Sequence, residues 1–329
     1  MPEPLPSVSI VTPTLGQAAF IEATIQSVLE QDYPRLEYFV ADGGSTDGTL
    51  DLLRKYDSRL RWISQPDHGQ ADAINKGFAQ TTGEILAWLN SDDTYAPGAV
   101  SAAANFFAAH PEVGVVYGNA DFIDAAGHRI GRCQNIEPFS RHRLLYYSDF
   151  LVQPAVFFRR SVFESAGGLD PSLCWSMDYD LWLKLSTRTQ FAFIPRVLAN
   201  YRWLDTSKTG SGGRKRIDEV LSVVQRHGAP TLPAYFRLEA IRMDLCEALA
   251  ATRQLRFATA VAKKWSAILT LCRSPRAIFS LLSLRTWRII CMGQIIRAHA
   301  AAAMHHNKKA KCVIATDKNQ MHTDDRQWK

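Results

Sequence analysis

The chain has 329 residues, 47% hydrophobic and 21% charged, proportions that exclude a disordered or low-complexity protein. Its formal charge of +6 is unevenly spread: residues 1–247 hold 23 Lys and Arg against 29 Asp and Glu, whereas residues 248–316 hold 12 basic residues and no acidic one. Six scattered cysteines (133, 174, 246, 272, 291 and 312) form no CxxC pair and no zinc-spaced histidine cluster, which excludes a disulfide scaffold or zinc finger and implies a reducing, cytoplasmic setting.

No secretory signal is expected, because residues 1–7 lack a basic stretch followed by an apolar core. Residues 7–14 are apolar and β-branched and predict a first buried strand. A helix follows over 20–29, with Phe20, Ile21, Ile25, Val28 and Leu29 on one face. Further strands are predicted at 36–41, 60–64, 85–89 and 113–117, and helices at 50–56, 71–79 and 100–109. Residues 153–160 and 197–202 read as later strands, and 174–185 as a helix heavy in apolar residues. Strands alternating with helices imply βαβ units and an α/β fold with a mostly parallel sheet. Ligands bind outside the carboxyl ends of such strands, and the polar clusters at Asp42, Asp67 and Asp92 each follow a strand.

Asn90-Ser91-Asp92-Asp93 carries the sharpest chemistry. Two adjacent carboxylates after a buried strand are costly unless something positive sits beside them. They suit a hard divalent cation shared with substrate phosphates, or else a solvated turn ahead of the next helix. Asp42, followed by two glycines, either accepts hydrogen bonds from a base or sugar or starts the next helix as an Asx turn. No dinucleotide-binding glycine fingerprint and no Walker loop is present. Asp121 can position a donor sugar or metal, or end its strand. Asp178, at the start of its helix, is favoured there by the helix dipole whatever its function.

Four blocks together resemble the family 2 glycosyltransferases of the GT-A fold, over about residues 7–205. They are Val8-Ser9-Ile10-Val11-Thr12-Pro13-Thr14, the stretch 42–49, the run from Asp67-His68-Gly69-Gln70 to Lys76-Gly77, and Asn90-Ser91-Asp92-Asp93. The resemblance implies that Asp42 contacts a nucleobase, usually uracil, that Thr12, Pro13 and Thr14 line the same pocket, and that Asp67 lies near the nucleotide. It makes Asp92 the ligand of a divalent cation, Mn²⁺ or Mg²⁺. Asn90 stands where the family's Asp-x-Asp motif has a carboxylate that touches the ribose or the metal; Ser91 and Asp93 complete this donor-binding turn, and Asp93 partly restores the missing charge. The stretch 178–185 resembles the acceptor-side motif, in which the residue matching Asp178 is the general base. Met177 replaces the family's glutamate, and Leu204 replaces its histidine. Lys208, Arg214, Lys215 and Arg216 either close over a diphosphate or form a solvated loop.

The implied protein is a metal-dependent inverting glycosyltransferase. It would move a sugar from a nucleotide-sugar, most simply UDP-linked, to a glycan or lipid-linked acceptor in cell-envelope or extracellular polysaccharide biosynthesis. A non-catalytic homologue that binds nucleotide-sugar or glycan is an alternative. A sugar nucleotidyltransferase is a weaker one, since only Thr14-Leu15-Gly16-Gln17 stands where a triphosphate loop is needed. The expected divisions are a GT-A domain over 1–213, a helical basic region over 214–298 and a disordered tail over 299–329. Helical patterning recurs at 217–225, 238–251 and 257–271, and residues 277–296 mix Leu, Ile, Trp and Phe with Arg285, Arg288 and Gln294. A central Arg costs a spanning helix about 2.5–3.5 kcal/mol, so an amphipathic helix at the inner face of the cell membrane fits better. Anionic lipid adds roughly 1 kcal/mol for each basic residue near the surface. A helical subdomain with exposed arginines is the competing reading. No nucleic-acid partner is expected, because no binding motif accompanies the charge.

Overall fold

The computed structural model describes residues 5–133, 137–204, 208 and 212–253. In the first part, β1 (Val8–Thr14), β2 (Leu36–Asp42), β3 (Arg61–Ser64) and β4 (Ile85–Trp88) alternate with α1 (Ile21–Leu29), α2 (Thr49–Arg54) and α3 (Gln70–Ala79). There follow β5 (Thr94–Tyr95), α4 (Ala99–Ala109), β6 (Val113–Ile123), β7 (Arg129–Arg132) and α5 (Arg141–Tyr146). A short 3₁₀ turn at Gln153–Ala155 leads into β8 (Val156–Arg159), α6 (Arg160–Ser165), α7 (Met177–Leu185) and β9 (Gln190–Arg202). Two helices close the described chain, α8 (Gly213–Arg226) and α9 (Ala234–Arg253).

The strands form one sheet in the order β3-β2-β1-β4-β8-β6-β9-β5, with β7 added beside β6. Pairing is parallel from β3 to β4 and again between β6 and β9. β8 runs antiparallel to both β4 and β6, so the sheet is mixed rather than parallel throughout. An apolar strand covered on both faces reads the same whichever way it runs, and its sense is therefore invisible in the hydrophobic pattern. The register Thr14↔Asp42 and Asp42↔Ser64 brings three strand ends to one edge.

Successive residues of β1 face opposite layers, as pleating requires. Val11 joins Phe39, Trp88, Phe158 and Trp182 in one buried cluster, while Val8 and Ile10 join Val40, Ala87 and Phe157 in the other. β6 runs on to Ile123, so Gly118-Asn119-Ala120-Asp121 lies inside the strand rather than after it. A Cβ on Gly118 would fall 2.5 Å from Leu198 Cγ, and the β6–β9 register shifts at this point. β9 likewise starts at Gln190, well before the predicted 197–202.

The boundary expected after residue 213 falls within a continuous core. Ile217, Val220, Val223 and Val224 of α8, with Phe236 and Ala240 of α9, belong to the cluster that contains Trp88 and Trp182. Arg214 pairs with Asp244 and Arg216 with Glu239, which staples α8 to α9. The predicted helices at 257–271 and 277–296 and the tail lie outside the described residues. None of the described helices is long and apolar enough to cross a membrane.

Candidate active site

Asp42 closes β2 with its carboxylate turned into its own loop. It accepts hydrogen bonds from the backbone N–H of Gly44 and Ser45 at 3.0 Å each, from Ser64 Oγ at 2.6 Å, and from Ser45 Oγ. The Asx-turn alternative is thus realised, and any contact with a base must share these oxygens. Asp67 approaches so closely that a Cβ on Gly43 would stand 2.5 Å from its Oδ2, so a larger residue there would push the Asp67 side chain aside. Asp42, Asp67 and Lys76 line a small crevice with Ala41, Ile63 and Gln65. Of the predicted β1 residues, Thr12 is fully buried and bonds Tyr38 OH at 3.0 Å, so its hydroxyl serves the sheet interior. Pro13 is buried beside it. Thr14, opposite Asp42, keeps a buried hydroxyl with no partner among the described residues.

Asn90 is the hub of an amide chain whose directions can be deduced. The carbonyl of Trp88 can only accept, so Gln153 Nε2 donates to it at 2.8 Å. Gln153 Oε1 then needs a donor and receives Asn90 Nδ2 at 3.0 Å, which leaves Asn90 Oδ1 to accept from Gln70 Nε2 at 2.7 Å. Asn90 Nδ2 also faces Asp93 Oδ2 at 3.3 Å. An aspartate here would offer no donor to Gln153 and would set a second charge against Asp93. The asparagine is explained by its neighbours.

Asp93 is 1% exposed and accepts the backbone N–H of Arg202 at 2.8 Å. Burial, then the charge of Asp92, pushes its carboxyl well above the usual carboxylate range. Asp92 is half-buried, and burial raises its carboxyl too, opposed by its own backbone N–H and by Arg202. No side chain among the described residues donates to Asp92, so its oxygens stay open. Ser91, which precedes Asp92, is buried. Arg202 is the residue that sequence reasoning missed. Its guanidinium donates to the carbonyls of Asp92 (2.7 Å), Ala125 (3.1 Å) and Asp124, and lies 5.0 Å above the Phe20 ring. Asp121 is taken by Arg129 and Arg132 at 2.6 and 3.1 Å, which makes it a hairpin anchor.

Asp178 sits in the first turn of α7, and Met177 beside it points into the core at 6% exposure. Burial raises the Asp178 carboxyl, while backbone N–H groups, Lys208 and Arg216 pull it back. Asp149, also missed, is driven up by burial and then by the charge of Asp178. Two links join this group to the paired aspartates. Lys208 Nζ, whose charge acts on Asp178, donates to Gln70 Oε1 at 3.0 Å, and Gln70 holds Asn90. Trp182, one turn beyond Asp178, stacks on Trp88 at 5.5 Å and 15°, two residues before Asn90. Of the predicted cations, Arg214 and Arg216 pair with α9, Lys215 is exposed, and Lys208 reaches Gln70, while Lys76 in the crevice lining pairs with Asp72 at 2.8 Å.

The sequence model of the family described as glycosyl transferase family 2 matches residues 9–167, from β1 through the paired aspartates to α6. Over these residues the chain carries a domain of this family. It is an enzyme of glycosyl transfer, and its relatives include makers of polysaccharides. It is 27% identical over 217 residues to an uncharacterized glycosyltransferase of Rickettsia typhi, covering 63% of this chain and 67% of that one. It is 30% identical over 199 residues to the chondroitin synthase of Escherichia coli, covering 60% of this chain but only 29% of that protein. Among solved structures, TarS 1–349 of S. aureus in complex with UDP-GlcNAc superposes with a TM-score of 0.56 at 18% identity, covering 70% of this chain and 69% of that one. The mannosyltransferase PcManGT of Pyrobaculum calidifontis, in complex with GDP-Man and Mn²⁺, gives a TM-score of 0.55 at 20% identity, covering 91% and 84%. These two likenesses establish the GT-A fold of the family.

Proposed function

We propose that the chain transfers a sugar from a nucleotide-sugar, UDP-linked in the simplest case, to a hydroxyl of a glycan or lipid-linked acceptor, with inversion at the anomeric carbon. One observation carries this reading. The open carboxylate of Asp92 and the raised carboxyl of Asp178 belong to two segments joined through Asn90, Gln70 and Lys208.

The residues present fit a hard divalent cation. Asp92 offers unclaimed oxygens beside buried Asp93, and among the described residues no cluster of three His, Cys, Asp or Glu competes for the role. Mn²⁺ or Mg²⁺ commonly takes one or two carboxylates and draws its remaining ligands from substrate phosphates. Held by Asp92, such an ion would neutralise the charge that develops on the departing diphosphate. Asp178 takes the proton of the acceptor hydroxyl while that oxygen bonds to the anomeric carbon. The bond from that carbon to the diphosphate breaks, and its electron pair leaves with the nucleotide. A carboxyl raised by burial suits a base that works near neutral pH. Thr14, Asp42 and Asp67 would hold the nucleoside, Thr14 through its unpartnered hydroxyl. The nucleotides named with TarS and PcManGT agree with a donor of this class.

The test supplies UDP-, GDP- and dTDP-sugars with Mn²⁺ and reads nucleoside diphosphate release, with and without EDTA. Release from one donor that EDTA stops is the expected result. Release that is indifferent to EDTA removes the metal, and no release from any donor removes the enzyme.

A further inference from the structure

α8 lies beyond both the predicted catalytic domain and the matched family segment, yet it grips the stretch that carries Asp178. Glu219 Oε2 accepts the backbone N–H of Cys174 at 2.8 Å, and its Oε1 accepts those of Trp175 and Ser176 at 2.7 Å each. These three N–H groups immediately precede α7. The N-cap residue Ser176 makes no capping bond of its own, and its buried hydroxyl has no partner among the described residues. The clamp therefore comes from another helix. α8 also starts hard against the same stretch, since a Cβ on Gly212 would fall 2.6 Å from Trp175 Nε1. Just past the end of α8, His227 Nε2 meets Asp180 Oδ1 at 3.0 Å, a second tie to the first turn of α7.

We propose that Glu219 is a positioning residue for glycosyl transfer, fixing residues 174–176 and so the direction in which Asp178 leaves the first turn of α7. This rests on the reading of Asp178 as the base. A carboxylate that accepts three successive backbone N–H groups through charge-assisted bonds determines the tilt of three peptide planes. Asp178 lies two residues further on and inherits that tilt. The expected glutamate partner at position 177 is absent, and buried Met177 has no polar group with which to steer Asp178. A staple that only stabilised the fold would cost donor binding as much as turnover. A positioning residue costs turnover alone.

The experiment uses the full chain with Mn²⁺ and UDP-GlcNAc, UDP-glucose or GDP-mannose, and reads nucleoside diphosphate release with water as acceptor. Glu219→Ala is expected to lower kcat about 10- to 100-fold, the cost of a misplacement near 1 Å, with the donor KM within about twofold of wild type. Glu219→Gln keeps one acceptor oxygen for Trp175 and Ser176 and is expected to return kcat to within about threefold of wild type. Hydrogen exchange at amides 174–180 is expected to quicken in Glu219→Ala. Unchanged kcat in that variant overturns the proposal, as does a KM that rises as far as kcat falls, or a Gln variant no better than Ala. Unchanged exchange at 174–180 sinks the clamp alone. A wild-type chain that releases no nucleoside diphosphate from any of the three donors sinks the enzyme reading, and with it any catalytic role for the clamp.

Discussion

Asn90→Asp installs the carboxylate that the family resemblance implies at this place, and the structure predicts that it harms the metal-free protein. The new charge would stand near Asp93 Oδ2, which Asn90 Nδ2 now meets at 3.3 Å. Two like charges about 4 Å apart repel by about 4 kcal/mol at an effective dielectric of about 20. Gln153 also loses its donor while it stays tied to the Trp88 carbonyl, a further loss of about 1 kcal/mol. The penalty saturates at about 5 kcal/mol at pH 7.5, because the new carboxyl can escape by taking up a proton. Its folded pKa would lie above its unfolded value of about 3.9, so the penalty is absent below that value and accrues as pH rises from it towards the folded pKa. Urea denaturation of both proteins at pH 7.5 and pH 5.5 measures this. The variant is expected to lose about 2–5 kcal/mol at pH 7.5 and clearly less at pH 5.5, and Mn²⁺ with UDP should narrow the gap. A loss below about 1 kcal/mol, or one that does not change with pH, would refute the deduced amide chain.

Asp92→Ala is expected to abolish the Mn²⁺-dependent part of UDP binding by calorimetry. It should also stabilise the metal-free chain by about 1 kcal/mol or more, since Asp92 is a charge that raises the Asp93 carboxyl. Asp178→Asn should keep donor binding and lose about 10²- to 10⁴-fold in transfer. In the wild type, whose Asp178 carboxyl is raised, transfer should climb with pH through that pKa as the base loses its proton, and this limb should vanish in the variant. Trp182→Ala removes a fully buried ring stacked on Trp88 and should cost about 3–5 kcal/mol in urea denaturation.

Most of the first half of the fold was legible because β1, β2 and β4 are short apolar runs that are largely buried. In β1 the run from Val8 to Thr14 can do little else. The paired aspartates, Asp42 and Asp67 stood out because each follows such a strand, and strand ends are where an α/β sheet binds ligands. The start of β9 escaped notice because residues 190–197 are mostly half-exposed and mixed in character. Arg202, Asp149 and Glu219 were invisible for another reason. Each acts on residues dozens of positions away, and neither spacing nor periodicity records contacts of that range. Glu219 looks like any surface glutamate on an amphipathic helix until the packing of α8 brings it to residues 174–176. The departures at Asn90 and Met177 looked like weakening of the site. In the fold, Asn90 completes an amide chain and Met177 fills core space.

The charge pattern of the paired aspartates explains why the site need not hold metal by itself. Arg202 gives its N–H groups to the carbonyls of Asp92, Asp124 and Ala125, so its charge reaches the two carboxylates through space without occupying their oxygens. A bidentate bond to Asp92 would have consumed the one open ligand. Asp93 spends its oxygens on the Arg202 backbone N–H and on Asn90. What remains is one half-buried carboxylate with open oxygens, whose proton affinity is raised by burial, too little for a closed metal cage. An ion held there would gain most of its ligands only when a diphosphate arrives, and the diphosphate would gain its counter-charge only with the ion present. Metal and donor are therefore expected to bind as a pair, each raising the affinity of the other by the same factor, as linkage requires.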